Sequence, residues 1–276
     1  MPMTREQLER LAETDVRDPI SADVLLSALA SSPFIPSASL VNIRDLGSVA
    51  GSAIRPGVIY RCGTLEAAAK DPDALEWLAT NVKHIFDIRS PKERERHPDP
   101  EVKGVTNTWF DSTAFDGQPV LEEFVEADGA SGLRKEYLKI LDIYQPTFRV
   151  ILEHVWGNAA DAVTAGRDRT GVMAGLLQSL AGASPEDVRF DYLLSRIGTE
   201  PARERLLSYA RIGTGVTFDH PGFYNMCSLR QSCWDAFVTG VHEEHGGWEG
   251  YLTKTLGFFN DDLARIKSNL RGNEAL

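Results

Sequence analysis

The sequence predicts an α/β fold in which a central, mostly parallel sheet is flanked by helices, with helical additions at both ends. One observation is the stretch 158–180, NAADAVTAGRDRTGVMAGLLQSL, which is typical of a short buried strand, a tight loop and a helix. A second is the stretch 71–90, where a helical pattern leads into another buried strand. The chain has 276 residues and no linker rich in proline, glycine and serine. We therefore expect a helical lead-in over residues 1–39 and one compact domain over residues 40–276.

The acidic composition limits the kinds of molecule that this protein is expected to bind. The formal net charge is −11 and the pI is about 5.1, which argues against nucleic acid or an anionic membrane as the main partner. No apolar run is long enough to span a membrane, and the first residues predict a polar helix rather than a signal peptide. The three cysteines are too scattered for a disulfide framework or a zinc site, which fits a cytoplasmic protein. We predict a small anionic ligand and no cofactor or metal, and the oligomeric state stays open.

The amino-terminal part predicts helices followed by short strands. Thr4–Leu29 carries two helical patterns separated by Asp18-Pro19, and Ser32–Ser39 is an extended piece flanked by prolines. We expect this lead-in to pack across the core, although a lid over the pocket is an alternative. Val41–Glu66 then predicts two short strands joined by a Gly/Ser turn.

The next unit is a helix over Asp71–Asn81 and a buried strand over Val82–Ser90. Residues at the carboxyl end of a parallel strand line the pocket of an α/β protein, so Asp87 and Arg89 are expected beside the anion-binding loop. A purely structural Asp–Arg pair is the equal alternative. His84, in the middle of the strand, is interpreted as a core histidine rather than a base.

The following segment is less regular. Pro91–Pro100 is interpreted as a solvated charged turn. Thr106–Phe115 predicts a short strand and a loop, whose Trp109, Phe110 and Phe115 either wall a pocket or pack in the core.

Two helices are predicted in the second half of the chain, over Leu133–Trp156 and Pro185–Ile197. The aromatic residues of the first are interpreted as packing. His242 and His245 have no convincing third ligand, so they are interpreted as solvated turn residues rather than as a metal pair.

The stretch 158–180 predicts an anion-binding site. It divides into a strand over Ala159–Val163, a loop over Thr164–Arg169 and a helix over Thr170–Leu180. Small residues let successive backbone N–H groups point at one centre, the helix N-terminus adds positive potential, and an arginine closes around the anion. The predicted anion-binding residues are Thr164, Ala165, Gly166, Arg167, Asp168, Arg169 and Thr170.

Residues 162–171, AVTAGRDRTG, resemble the phosphate-binding loop H-C-x-A-G-K-D-R-T-G found in one branch of the protein tyrosine and dual-specificity phosphatase superfamily. Three further segments resemble the same branch. They are N-x-R-D-L-G with R-P-G-x-x-Y-R over residues 42–63, D-x-R-S with a downstream glutamate over residues 87–95, and G-G-x-x-x-Y-L with L-G over residues 246–257. The resemblance covers about residues 40–270 and implies a phosphatase-like fold.

The residues that differ are those that perform the family's chemistry. Val163 stands where the family has the cysteine that attacks phosphorus, and Ala162 replaces the histidine before it. Asp161 adds a negative charge, and strand alternation leaves its orientation open. Cys62 stands where the family has serine; it could in principle supply a thiol, but an ordinary core residue is the better interpretation. The resemblance thus implies the fold without cysteinyl-phosphate hydrolysis.

Three functional hypotheses follow. In the first, which we favour because no recruiting tail or targeting module is evident, the loop holds an anionic group of a small molecule while a carboxylate moves a proton, as in isomerisation, dehydration, cyclisation or elimination. Its predicted catalytic residues are Asp168, Arg169 and Asp87. The second is a pseudophosphatase that binds a phosphorylated protein or phosphoinositide. The third is a residual hydrolase in which water or another residue attacks phosphorus. A purely structural role, in which Asp168 and Thr170 cap the helix, is the alternative for the loop.

Overall fold

The sheet is central and mostly parallel, as the sequence predicts. The computed structural model describes residues 2–111, 119–157, 161–164 and 167–272, the segment 161–164 by its backbone alone. The strands lie in the order β1-β2-β5-β3-β4; β1 runs antiparallel to β2, and the other neighbours are parallel. They are β1 Arg44–Asp45, β2 Ile59–Cys62, β3 His84–Asp87, β4 Thr106–Trp109 and β5 Asp161–Thr164.

Thirteen α-helices surround the sheet in the described ranges. They are α1 Arg5–Ala12, α2 Ala22–Leu29, α3 Pro72–Asn81, α4 Pro91–Arg96, α5 Ala130–Ile143, α6 Gln145–Gly157, α7 Asp168–Ala181, α8 Pro185–Gly198, α9 Arg203–Thr214, α10 Phe223–Cys227, α11 Gln231–His245, α12 Gly247–Gly250 and α13 Asn260–Arg271. Short 3₁₀ helices and one π-helical turn, Tyr251–Thr255, connect some of them.

Both faces of the sheet are covered. Alternate residues of a strand point to opposite faces, and Ile59 and Phe86 pack into the large hydrophobic cluster formed with the later helices. Their neighbours Tyr60 and Ile85 pack into a second cluster that includes Leu78 of α3. This two-sided burial is the arrangement expected of parallel strands, and it confirms the predicted α/β class.

The lead-in packs against the domain. Helix α1 lies along α8, where Arg5 pairs with Asp187. Leu8 and Ile20 are buried in the same large cluster as the later helices. The expectation that this segment packs across the core is met, whereas the domain boundary at residue 39 stays a prediction.

The prediction of one helix over Leu133–Trp156 is wrong. The chain forms α5 and α6 instead, and Tyr144 between them has φ −92° and ψ 12°, outside the helical region. The cause is Pro146, which has no N–H to donate and whose ring clashes with the carbonyl four residues earlier.

The interpretation of Pro91–Pro100 as a turn is also wrong for its first six residues. They form α4, which Ser90 caps: its hydroxyl accepts from the backbone N–H of Glu93, and the Glu93 carboxylate accepts from the backbone N–H of Ser90. Pro91 fits the first helical position, where no N–H is needed.

The loop before α7 is shorter than predicted. Helix α7 begins at Asp168 rather than at Thr170, so Asp168 and Arg169 lie in its first turn. Strand β5 is assigned to Asp161–Thr164, while Ala159 and Ala160 of the predicted strand lie outside the described part of the chain.

The R-D-L-G segment makes a hydrogen-bonded turn. The carboxylate of Asp45 accepts from the backbone N–H groups of Gly47 (2.8 Å) and Gly57 (2.9 Å) and from the hydroxyl of Ser48 (2.7 Å). This motif is therefore explained by architecture rather than by chemistry at the loop.

A buried charge centre lies beneath α7. Asp191 of α8 binds Arg44 (Oδ1–Nε 2.6 Å) and Arg61 (Oδ2–Nη1 2.8 Å), and all three side chains are buried. Burial alone would raise the pKa of Asp191, but the two guanidinium charges outweigh it and lower that pKa. Arg61 also donates from Nη2 to the carbonyl of Arg167 (3.2 Å). The centre thus joins the sheet and α8 to the start of α7.

Candidate functional site

A cavity of about 420 Å³ adjoins the first turn of α7. Arg167, Asp168 and Arg169 line it, together with Glu93 of α4 and Tyr137 of α5. The rest of its lining is mostly apolar and comes from the lead-in between α1 and α2, from residues 119–124, and from α5, α8, α9 and the segment around α10: Val16, Pro119, Phe124, Leu133, Glu136, Ile140, Arg196, Thr199, Arg203, Leu206, Leu207, Ala210, Met226, Cys227 and Leu229. The structure therefore brings three of the predicted loop residues to one cavity.

Arg169 is held by a two-pronged ion pair. Its Nη1 and Nη2 donate to Glu93 Oε2 (2.8 Å) and Oε1 (2.7 Å), and Nη1 also lies 3.4 Å from the hydroxyl of Tyr144. Burial by itself would lower the pKa of Arg169, but the Glu93 carboxylate raises it. Arg169 is therefore permanently charged, and its plane is fixed by a residue 76 positions away.

The pH at which Glu93 becomes protonated offers a test of the Arg169–Glu93 ion pair. Burial would raise the pKa of Glu93, but the charge of Arg169 and hydrogen bonds from Arg169 and Ser90 lower it to about 2. Because the pKa is lower in the folded state, the stability that Glu93 contributes is complete above its unfolded value of about 4.3 and is lost as the pH falls towards 2.

We expect the wild-type protein to exceed Glu93→Gln in free energy of unfolding by a constant amount above pH 5. The difference should shrink between pH 4.5 and 2, as measured by urea unfolding at each pH. Glu95→Gln, which removes a carboxylate from the same short helix but not from the cavity lining, is the matched control. A difference that stays constant down to pH 2 would contradict the assignment.

Asp168 is oriented by a tyrosine that the sequence pattern assigned to packing. The hydroxyl of Tyr137 donates to Asp168 Oδ1 (2.7 Å), and it lies 3.0 Å from the hydroxyl of Tyr192. Burial, reinforced by the charge of Asp168, raises the pKa of Tyr137 well above its ordinary value, so Tyr137 stays protonated. The Asp168 side chain keeps 36% of its surface exposed, whereas Tyr137 is buried. The arrangement presents a hydrogen-bonded carboxylate to the cavity.

Arg167 fixes the start of α7. Its guanidinium donates to Asp168 Oδ1 (3.1 Å) and to the carbonyls of Cys227 and Met226. Thr170 is buried, and its hydroxyl has no hydrogen-bond partner in the structure as described. Ala165 and Gly166, and the side chains of Asp161, Val163 and Thr164, lie outside the described part, so the backbone cradle stays a prediction.

Asp87 and Arg89 form the structural pair that the sequence left open. Arg89 binds both carboxylate oxygens of Asp87 at 2.8 Å, and it also binds Asp99 (2.7 Å) and the carbonyl of His97 (2.7 Å). Asp87 lies opposite Thr164 in the register of β3 and β5. Both side chains of the pair are buried, and neither is among the side chains that line the cavity. This geometry favours a structural role over catalysis by Asp87.

Neither Trp109, the last residue of β4, nor Phe110 after it lines the cavity. Trp109 donates from Nε1 to the carbonyl of Arg89 (3.0 Å) and lies under the guanidinium of Arg94. Phe110 stacks on Phe86 with ring centroids 6.3 Å apart. Phe115 lies outside the described residues. Within the described residues, the aromatic side chains of the cavity are instead those of Phe124 and Tyr137.

All three thiols are unsuited to nucleophilic attack. Cys62 is buried, donates to the carbonyl of Val41 (3.5 Å), and has a pKa that burial raises to about 12. Burial likewise raises the pKa of Cys227, which lines the cavity, to about 11, and it raises the pKa of Cys233. A thiolate is the reactive form of cysteine, so protonated thiols of this kind are inert at neutral pH. Cys62 is therefore the core residue that the sequence favoured.

His84 is held by a polar and an aromatic contact, as expected of a core histidine. His84 binds the hydroxyl of Thr108 through Nε2 (2.8 Å) and stacks on Phe86. His242 and His245 lie in the last turn of helix α11 rather than in a turn between elements. Across the described ranges, no group of three or more His, Cys, Asp or Glu side chains is arranged to hold a metal ion. Nor does any helix there have the length and apolar character needed to cross a membrane.

Comparison with known proteins agrees with the resemblance drawn from the motifs. A family model described as "Tyrosine phosphatase family" matches residues 35–272. A tyrosine-protein phosphatase of Nostoc commune is 28% identical over 214 residues, which are 72% of this chain and 69% of the relative. A Cupriavidus necator protein provisionally named a tyrosine-protein phosphatase is 26% identical over 270 residues, 88% of this chain and 95% of the relative. The matched range includes all five strands and the residues that line the cavity from Glu93 to Leu229.

Proposed function

This chain belongs to the tyrosine phosphatase family, and from that premise we propose a function that does not use cysteinyl-phosphate hydrolysis. The protein binds the phosphate, diphosphate, sulfate or carboxylate group of a small molecule beside the first turn of α7. It then transfers a proton to or from that molecule, in an isomerisation, dehydration, cyclisation or elimination.

The observation that carries the proposal is the shared cavity of Arg169 and Asp168. Arg169, fixed by Glu93, supplies a permanent positive charge, and the N-terminus of α7 adds the positive end of its dipole. Asp168 accepts or donates the proton at its carboxylate. Tyr137 positions that carboxylate and stays protonated while it does so.

The absence of a competent nucleophile supports the same conclusion. Val163 and Ala162 occupy the positions of the family's cysteine and histidine, and neither side chain has a lone pair. Cys62, Cys227 and Cys233 are buried with raised pKa values. The volume of about 420 Å³ and the mostly apolar lining further favour a small molecule over a phosphorylated protein.

The first test combines turnover and binding. We expect no phosphate release from p-nitrophenyl phosphate or from a phosphoinositide panel. Phosphate, diphosphate or vanadate should stabilise the wild-type protein, by about 2.7 kcal/mol at a hundredfold excess over Kd, which corresponds to roughly 5–10 °C in Tm. Arg169→Ala should lose this stabilisation because the anion's main counter-charge is gone.

The matched control is Arg189→Ala. Arg189 pairs with Asp235 on the surface and does not line the cavity, so its removal should leave the anion response unchanged. Phosphate release that disappears in Arg169→Ala would instead identify a hydrolase without cysteine. No stabilisation by any anion would reject the binding site. Once a substrate is found, Asp168→Asn should keep binding and lose turnover, whereas binding with no turnover of any substrate points to a pseudophosphatase.

A further inference from the structure

The cavity is far larger and more apolar than an anion requires. Side chains from α5, from α9 and from the segment after α9 converge on it, including Leu133, Ile140, Leu206, Leu207, Met226 and Leu229. An inorganic phosphate at Arg169 would leave most of this surface against water, which is unfavourable for apolar groups.

Two further arginines of the wall, Arg196 and Arg203, are bound within the protein. Arg196 donates to the carbonyls of Thr14 (2.9 Å) and Asp18 (2.7 Å) and pairs with Glu200. Arg203 donates to the carbonyl of Val16 (3.1 Å) and lies 3.3 Å from Glu200. Arg169 is itself paired with Glu93, and Glu136 of α5 also lines the cavity. We place the anion where Arg169 meets the positive end of the α7 dipole, and most of the remaining lining is hydrocarbon.

The volume sets the size of the ligand. A dry cavity of about 150 Å³ holds one benzene ring, so about 420 Å³ accommodates roughly 12–18 carbon atoms. This size lies within the usual range for small-molecule sites.

We infer that the ligand is an anionic amphiphile, in which an acyl, prenyl or comparable hydrocarbon body of roughly 12–18 carbons carries the anionic group. The inference rests on the proposed function, because it places that group at Arg169. The hydrocarbon body lies against α5 and α9, and its burial supplies most of the affinity.

The test is a series of n-alkyl phosphates from ethyl to dodecyl, kept below their micelle concentrations, with inorganic phosphate and the matching n-alcohols for comparison. Affinity, measured by calorimetry and thermal shift, should rise about threefold to fourfold for each added methylene, without levelling off before dodecyl, because the cavity accommodates at least about twelve carbons. Alcohols of the same length should bind at least about tenfold more weakly, since they lack the charge that Arg169 recognises.

A variant that fills the apolar part of the cavity distinguishes binding of the anionic group from binding of the hydrocarbon body. Ala210 lines the cavity from α9, so Ala210→Trp should keep stabilisation by inorganic phosphate and lose the gain with chain length. Ala264→Trp is the matched control, since Ala264 is exposed on α13 and does not line the cavity. If Ala210→Trp fails to fold, the wild-type series alone decides the question.

Failure of this inference and failure of the proposed function would give different results. Affinity that does not depend on chain length, with phosphate still stabilising through Arg169, would overturn this inference and leave the proposed function standing. If alcohols bind as well as phosphates, then neither this inference nor the proposed function is right that Arg169 recognises an anionic group. Co-sedimentation with phosphatidic acid vesicles identifies the source: pelleting with them indicates a membrane lipid, and binding of monomers alone indicates a free amphiphile.

Discussion

Asp191→Asn is expected to lower the free energy of unfolding by about 3–5 kcal/mol, because it leaves two buried guanidinium groups without their counter-charge. Arg44 and Arg61 are almost fully buried, and both bind the Asp191 carboxylate at 2.8 Å or less. Asparagine keeps the shape of the side chain and removes its charge. Urea unfolding at pH 7 measures the loss.

Asp235→Asn is the matched control. Asp235 pairs with Arg189 at 3.1 Å, but its side chain is 47% exposed, so its loss should cost at most about 1 kcal/mol. Since the folded pKa of Asp191 is lowered, its contribution is complete above the unfolded value of about 3.9 and disappears as the pH falls further. If Asp191→Asn and Asp235→Asn lowered the free energy of unfolding equally, the charge of the buried Asp191 would contribute no extra stability.

Gly47→Ala is expected to destabilise the protein by about 3 kcal/mol, at the upper end of the usual cost of overpacking. A Cβ on Gly47 would lie 2.5 Å from the carbonyl carbon of Arg55 and 2.5 Å from the Cα of Pro56. Both neighbours are backbone atoms, so relief requires the turn to open and the hydrogen bonds of Asp45 to lengthen. Thermal or urea unfolding measures the cost.

Gly213→Ala gives the opposite expectation for the same chemical change. Apart from the backbone of α9 itself, no atom of the described residues lies within 4 Å of a Cβ at Gly213, so alanine should stabilise this helix by up to about 1 kcal/mol. If both variants had the same stability, the close approach at Gly47 would not constrain the fold.

Short sequence patterns predicted most of the helices and strands, and each wrong prediction has a cause in the nearby sequence. The parallel sheet, the two helices of the lead-in and the helix before β3 follow from hydrophobic period and turn residues. The break before Gln145-Pro146 was missed because the apolar stripe continues across it, although proline at that position interrupts the hydrogen bonds. Helix α4 was missed because its charged sequence has no apolar stripe, although Ser90 and Glu93 form a capping box.

The sequence predicts only those residues of the candidate site that are adjacent along the chain. Arg167, Asp168 and Arg169 are adjacent, so the loop pattern alone predicts them together. Tyr137 contacts Asp168 across 31 positions, and its spacing in α5 is that of any core aromatic residue. The sequence offers Glu93 only as a glutamate downstream of the D-x-R-S motif, and its contact with Arg169 required the fold. Which hydroxyl or carboxylate meets which partner depends on tertiary packing, which spacing along the chain does not encode.

The bond from Arg61 to the carbonyl of Arg167 has an evolutionary consequence. It holds the start of α7 from beneath, through Asp191 and α8, and it involves no residue that attacks a substrate. A lineage that exchanges the residue at position 163 therefore keeps this anchor without a compensating change elsewhere. We expect such a scaffold to survive the loss of its original reaction long enough for selection to act on a different one.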